Sequence, residues 1–128
     1  MLKEQEDLYI TRDLNRSAIA VQPKQSFVDW LNEAEDDENP LTLERVNDWS
    51  LYLVDEMFEM ADIENWLKKN FEQIFLKELF AWHTGIENFP QKITYKMFLE
   101  WFNYKIYLGT VDLGQEPIEE LDSIYDCY

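Results

Sequence analysis

The chain has 128 residues, a length typical of a single domain. Its formal net charge of −16 at neutral pH makes binding to DNA, RNA or anionic lipid unfavourable. Hydrophobic residues make up 46% of the chain and aromatic residues 16%, so the composition excludes a disordered polyanion and predicts a packed core.

The acidic residues are concentrated in two blocks. Residues 31–64 carry twelve acids and one base, and residues 109–128 carry six acids and no base. Between them, residues 65–108 carry four acids and six bases. A clustered acidic block attracts basic partners, although the same charge also serves as a solubilising surface.

The compartment is predicted from what the chain lacks. Cys127 is the only cysteine, so no intramolecular disulfide can form. The first residues contain no apolar segment of the kind found in secretory signals, and no stretch approaches the ~20 apolar residues that a membrane span needs. We therefore expect a cytoplasmic protein with no membrane partner.

In chain order, residues 1–14 are interpreted as an N-terminal arm and residues 15–128 as one domain. The apolar run at residues 17–21 predicts a strand. Ser26 and Asp29 match a helix-start signal, and the helix that follows has one apolar face. A short helix capped by Thr42 is predicted to end near Asp48, and residues 50–54 read as a mostly buried second strand.

The strongest pattern lies at residues 62–83, where apolar residues keep the helical period. Asp62 is predicted to cap this helix, and Gly85 to stop it, as a residue that tolerates positive φ after a helix end. Its polar residues are expected to lie largely on the opposite side from the apolar stripe; they are Lys68, Lys69, Glu72, Lys77 and Glu78.

The last third of the chain changes from helical period to alternation. Thr94 is predicted to start a helix that runs to about Tyr104, and residues 106–113 alternate as a third strand. Pro117 suits the first turn of a final helix with an apolar stripe that includes Ile118 and Leu121. The order β-α-α-β-α-α-β-α predicts an α+β fold, with a sheet of about three strands covered by helices.

Several short motifs are spread over residues 15–121. They are Asn15-Arg16-Ser17-Ala18, Pro23-Lys24, Phe27-x-Asp29-Trp30-Leu31-Asn32, Leu41-Thr42-Leu43-Glu44, Met97-Phe98-Leu99-Glu100-Trp101-Phe102, Val111-Asp112-Leu113 and Glu116-Pro117-Ile118-Glu119. In these motifs the chain resembles a group of small acidic bacterial proteins. The resemblance implies a bacterial origin and a shared fold, and it implies no activity and no functional residues.

No catalytic motif is found in the sequence. The three glycines are isolated, which excludes a phosphate-binding loop. The only histidine, His83, falls at a helix end, and Cys127 lies in an acidic tail that suppresses the thiolate. The carboxylates fit neither a calcium loop nor a di-iron pattern. We therefore predict no catalytic residue, no metal and no cofactor.

The leading hypothesis is a non-enzymatic interaction module that holds a basic protein partner. Exposed aromatic residues beside acids are typical of recognition surfaces. A special case is mimicry of nucleic-acid phosphates. The alternatives are a small carboxylate- or metal-dependent enzyme and a structural subunit of a larger assembly. The predicted partner-binding residues are the acids Asp36, Asp37, Glu56 and Glu59 and the aromatic anchors Trp49 and Phe58.

Overall fold

The computed structural model describes residues 11–121. Its five strands are β1 (Arg12–Leu14), β2 (Arg16–Pro23), β3 (Ser50–Asp55), β4 (Phe102–Tyr107) and β5 (Thr110–Asp112). β2 is the central strand of an antiparallel sheet with the order β3-β2-β4, and β1 pairs with β5 in a second, two-stranded antiparallel sheet. In the larger sheet, Ala18 lies opposite Leu53 on one side and Tyr107 on the other.

The helices are α1 (Gln25–Glu35), α2 (Leu43–Val46), α3 (Met60–Trp82) and α4 (Tyr95–Trp101), with a 3-10 turn at Ile86–Asn88. They cover one face of the β3-β2-β4 sheet. Side chains alternate across a strand, so Ile19 and Val21 of β2 point into the helical layer. Both are fully buried among Phe27 of α1, Phe75 of α3 and Phe98 of α4. The result is a single α+β domain with one hydrophobic core.

Aromatic rings make up the centre of this core. The ring of Phe75 lies 5.1 Å from that of Phe102 and 5.2 Å from that of Trp101, between centroids. Phe27 approaches Phe102 at 5.4 Å from the other side. Rings packed in this tilted geometry contribute beyond their buried area, which explains how α1, α3, α4 and β4 are held in one cluster.

The sequence predicted the α+β class, the first two strands of the larger sheet and the long helix correctly. The helix starts differ in detail. Lys24, and not Ser26, occupies the cap position of α1, and Glu59 precedes α3 in place of Asp62. The cap of α4 is as predicted, since the Thr94 hydroxyl accepts a hydrogen bond from the Met97 N–H at 3.2 Å.

The predicted third strand at residues 106–113 is divided in two. β4 begins at Phe102, earlier than predicted, and the chain leaves β2 after Tyr107. At this point the Leu108 carbonyl accepts a hydrogen bond from the Ser17 hydroxyl at 2.8 Å. The Ser17 side chain, and not the backbone of β2, therefore binds the Leu108 carbonyl, and the β2–β4 pairing ends. The residues that follow turn away and pair with β1 as β5.

Two further predictions need correction. The final helix is wrong over residues 117–121, which are not helical, and the rest of it lies outside the described residues. Ile118 and Leu121 are 66% and 85% exposed, so the predicted stripe has nothing to pack against. The predicted N-terminal arm is described from residue 11 onward, and there Arg12–Leu14 is a strand of the domain.

Candidate interaction surface

Within residues 11–121, no helix lies over the second face of the β3-β2-β4 sheet. We call it the open face and define it by Ala18, Ala20, Trp49, Leu51, Leu53, Lys105 and Tyr107. The sequence predicted that β3 is mostly buried, but two of its side chains point to solvent. Leu51 is 61% exposed and Leu53 is 48% exposed. Trp49 and Tyr107 are also exposed. These four large side chains form a contiguous apolar patch, which is unusual on a surface this highly charged.

The open face contains a shallow groove of about 340 Å³. Ala18 and Ala20 form its floor, because their small side chains leave space between the larger residues of β3 and β4. The Lys105 ammonium lies 4.6 Å from the centre of the Trp49 ring, a cation–π contact that holds the indole at the edge of the groove. The groove therefore presents apolar surface with a rigid aromatic wall.

Acidic residues surround the end of the open face where β3 stops. Asp55 is the last residue of β3, and Glu56 and Glu59 follow it; all three are exposed. Phe58 is 79% exposed among them. The Ser17 hydroxyl fixes this segment, because it accepts from the Met57 N–H at 2.9 Å and lies 3.2 Å from the Met57 carbonyl. An exposed aromatic ring is thus placed beside a row of carboxylates.

The structure brings some of the predicted partner-binding residues together and separates others. Trp49 lies on the open face, and Glu56, Phe58 and Glu59 lie at one end of it. Asp36 and Asp37 lie elsewhere, since they follow α1 in the helical layer. Glu35, just before them, contacts His83 at the C-terminal end of α3, whereas Glu59 precedes the N-terminal end of that helix. A helix of 23 residues spans about 34 Å, so the two acid clusters are far apart.

The aromatic residues that did not fit the predicted stripes divide into two groups. Trp49, Phe58, Trp82 and Tyr107 are exposed. Tyr52, Phe89 and Tyr95 are half-buried and pack against the core. Part of the aromatic excess in the composition is therefore ordinary core, and part of it is surface.

The sequence did not reveal one buried acid. Glu78 was predicted to lie on the polar side of α3, yet it is only 4% exposed. Its carboxylate accepts a short hydrogen bond from the Tyr52 hydroxyl and a second hydrogen bond from the Ser50 side chain. Burial raises the pKa of Glu78 despite these donors, and burial beside Glu78 raises the pKa of Tyr52. Spacing could have revealed it, because Glu78 falls four residues after Ile74 on the apolar stripe.

His83 ties the end of α3 to α1, as a structural role predicts. Its Nδ1 lies 2.9 Å from the Glu35 carboxylate, and its Nε2 lies 3.0 Å from the Asn88 side-chain nitrogen. Gly85 passes close to the ring, and a Cβ there would lie 2.8 Å from Nε2. Its φ is −80°, so Gly85 does not use the positive φ that glycine tolerates, and a larger residue here would have to displace the His83 ring.

Two further features concern metal binding and membrane crossing in the described residues. Across residues 11–121, no group of three His, Cys, Asp or Glu side chains is arranged to hold a metal ion. In the same part of the chain, no helix has the length and apolarity needed to cross a membrane.

The chain matches no protein-family model, and no curated protein and no solved structure matches it. The resemblance to small acidic bacterial proteins therefore stays a prediction.

Proposed function

We propose that this protein is a non-enzymatic interaction module that binds a basic protein partner through the open face. The observation that carries the proposal is the apolar patch of Trp49, Leu51, Leu53 and Tyr107, which remains exposed although the domain has a complete core elsewhere. Contiguous exposed apolar surface of this kind typically marks a binding site.

The surroundings of the patch favour a partner with basic residues around an apolar centre. Asp48 precedes Trp49, and Asp55, Glu56 and Glu59 lie at the other end of β3. A buried apolar anchor inside a charged rim is the usual organisation of a protein interface. The rim acids would steer a basic surface toward the groove, and Trp49 would supply much of the affinity. A nucleic-acid-binding protein is one partner with this chemistry.

Asp36 and Asp37 are not part of the proposed site, because they lie in the helical layer at the far end of α3. This separation provides a matched control. Two substitutions near the open face and two away from it remove the same amount of charge.

The test uses a partner captured from a native lysate, identified, purified and titrated by calorimetry. Trp49→Ala should weaken binding by about 30-fold, the loss for a hot-spot residue worth about 2 kcal/mol. Glu56→Gln with Glu59→Gln should slow association and flatten its salt dependence. Asp36→Asn with Asp37→Asn should leave both unchanged. A partner that binds all three variants like the wild type, or that is acidic, contradicts the proposal.

A further inference from the structure

The outer edge of β3 has no strand partner within the described residues. Among the strands of residues 11–121, β2 is its only neighbour, and the two strands pair continuously over six residue pairs from Arg16↔Asp55 to Val21↔Ser50. Within residues 11–121, residues 50–55 form no backbone–backbone hydrogen bond outside the sheet. In an antiparallel strand, alternate residues direct their N–H and C=O groups to opposite sides. Half of the residues of β3 therefore direct these groups outward.

Apart from Asp55 at its end, β3 lacks the sequence features that usually protect an edge strand. Residues 50–54 contain no charge, no proline and no glycine, and the continuous register excludes a bulge. β4, the opposite edge, carries Lys105 in its middle. Natural sheets use lysine, proline or bulges to prevent pairing with another chain, so an unprotected edge is a template for an added strand.

We infer that the partner adds an extended segment to the outer edge of β3 as a fourth strand of the sheet. The inference rests on the proposed function and specifies how the open face is used. Alternate side chains of the added strand would lie on the open face beside Leu51 and Leu53, extending the apolar patch. The backbone groups of β3 would add to the affinity that Trp49 supplies, and the groove would supply specificity for the side chains of the added strand.

The charge around β3 selects the occupant. Residues 46–64 contain six acids and no base. Asp48 lies before the strand, and Asp55 and Glu56 lie at its other end. A second copy of this chain would bring like charges together, since each copy carries −16. The occupant is therefore a segment of another protein with alternating apolar residues between lysines or arginines.

The test uses a synthetic peptide, acetylated and amidated, with lysines at both ends and alternating valine and threonine between them. About nine residues suffice to span β3, which has six, at a rise of about 3.3 Å per residue. Two further peptides carry N-methyl groups on alternate residues. One is methylated at the odd-numbered positions of the peptide and the other at the even-numbered positions, and these two patterns are called the two registers. N-methylation removes backbone donors and leaves the side chains unchanged.

Binding of the unmodified peptide should slow amide hydrogen exchange at alternate residues of β3 and leave β4 unchanged. One N-methylated register should bind at least about tenfold more weakly, because its donors no longer reach the edge, and the other should bind like the unmodified peptide. The edge proposal is overturned if both registers bind equally, if the protection falls on β4, or if the unmodified peptide does not bind at about 1 mM.

The experiment also distinguishes the two proposals from each other. If N-methylation has no effect but Trp49→Ala still weakens peptide binding, the open face is a docking surface and the added strand is wrong. If N-methylation in one register abolishes binding and Trp49→Ala has no effect, the edge is used and the proposed role of the open face is wrong. Leu51→Ser provides a second check on the face, because serine keeps the strand backbone.

Discussion

Glu78 is the residue whose environment departs furthest from its sequence context. A carboxylate that has left water is stabilised by the groups that donate to it and by nearby positive charge; here Tyr52 and Ser50 donate, and Lys77 supplies the charge. Burial outweighs both donors and raises its pKa. Because Glu78 joins α3 to β3, the interior of the domain contains one titratable link between the helical layer and the edge strand.

Glu78→Gln is expected to gain stability relative to the wild type as pH rises. The folded wild type holds the Glu78 proton more tightly than the unfolded chain does. Its contribution to stability is therefore present below the ordinary pKa of 4.5 and is lost as pH rises through the higher folded value. Glutamine keeps an oxygen that can accept from Tyr52 and carries no charge. Urea denaturation of both proteins from acidic to neutral pH checks this, and a constant difference would contradict it.

Tyr52→Phe tests the same link from the other side. Removing the hydroxyl leaves a buried carboxylate oxygen without its donor, which should destabilise the protein by about 1–3 kcal/mol. The loss should shrink in the background of Glu78→Gln, because a neutral amide is less costly to leave unpaired. Equal losses in both backgrounds, measured by a double-mutant cycle, would show that the two side chains do not interact.

At the scale of elements, α3 supports most of the core. Phe75→Ala should cost about 3–5 kcal/mol, a large part of the ~5–15 kcal/mol that holds a domain folded. The cost is expected because Phe75 is fully buried and contacts the rings of Phe98, Trp101 and Phe102. Gln73→Ala, exposed on the same helix, is the matched control and should change stability by less than about 0.5 kcal/mol. Similar denaturation midpoints for the two variants would contradict this assignment of the helix face.

The sequence predicted the elements whose pattern has one interpretation. The sustained helical period of α3 indicates a helix, and the apolar run at residues 17–21, which is short and is followed by Pro23, favours a strand. Phe98, Trp101 and Phe102 fit a helix, but Phe102, Tyr104 and Ile106 also alternate as a strand. Pairing with β2 decides the boundary, and pairing is a long-range contact that local spacing does not encode.

The candidate site could be predicted only in part, for a similar reason. Trp49 and Phe58 were identified because they fell outside every apolar stripe. Leu51 and Leu53 were missed as surface residues, since residues 51–54 form an unbroken apolar run and the two faces of the strand cannot be told apart from composition. Which of them faces the helices depends on the register with β2. The separation of Asp36 from Glu56 likewise follows from the length and position of α3.

At the scale of the whole molecule, the charge of −16 opposes folding through self-repulsion. Sodium chloride should therefore raise the thermal unfolding midpoint, because the screening length falls from about 8 Å at physiological ionic strength to about 3 Å at 1 M. The variant with Asp36, Asp37, Glu56 and Glu59 all changed to their amides should show a smaller increase. An equal increase in both proteins would assign the effect to burial of apolar surface and not to charge.

The pairing of β1 with β5 determines how the domain responds to mechanical load. Arg12 lies opposite Asp112, bridged by an ion pair of 3.4 Å, so residues 11 and 113 lie side by side at the end of this ladder. Pulling on residues 11 and 113 would open the ladder one rung at a time, from Arg12 toward Leu14, and the next rungs belong to β2 and β4. Strands loaded in this direction open one pair after another, so the β1–β5 ladder would separate before the pairing of β2 with β4 bears the load.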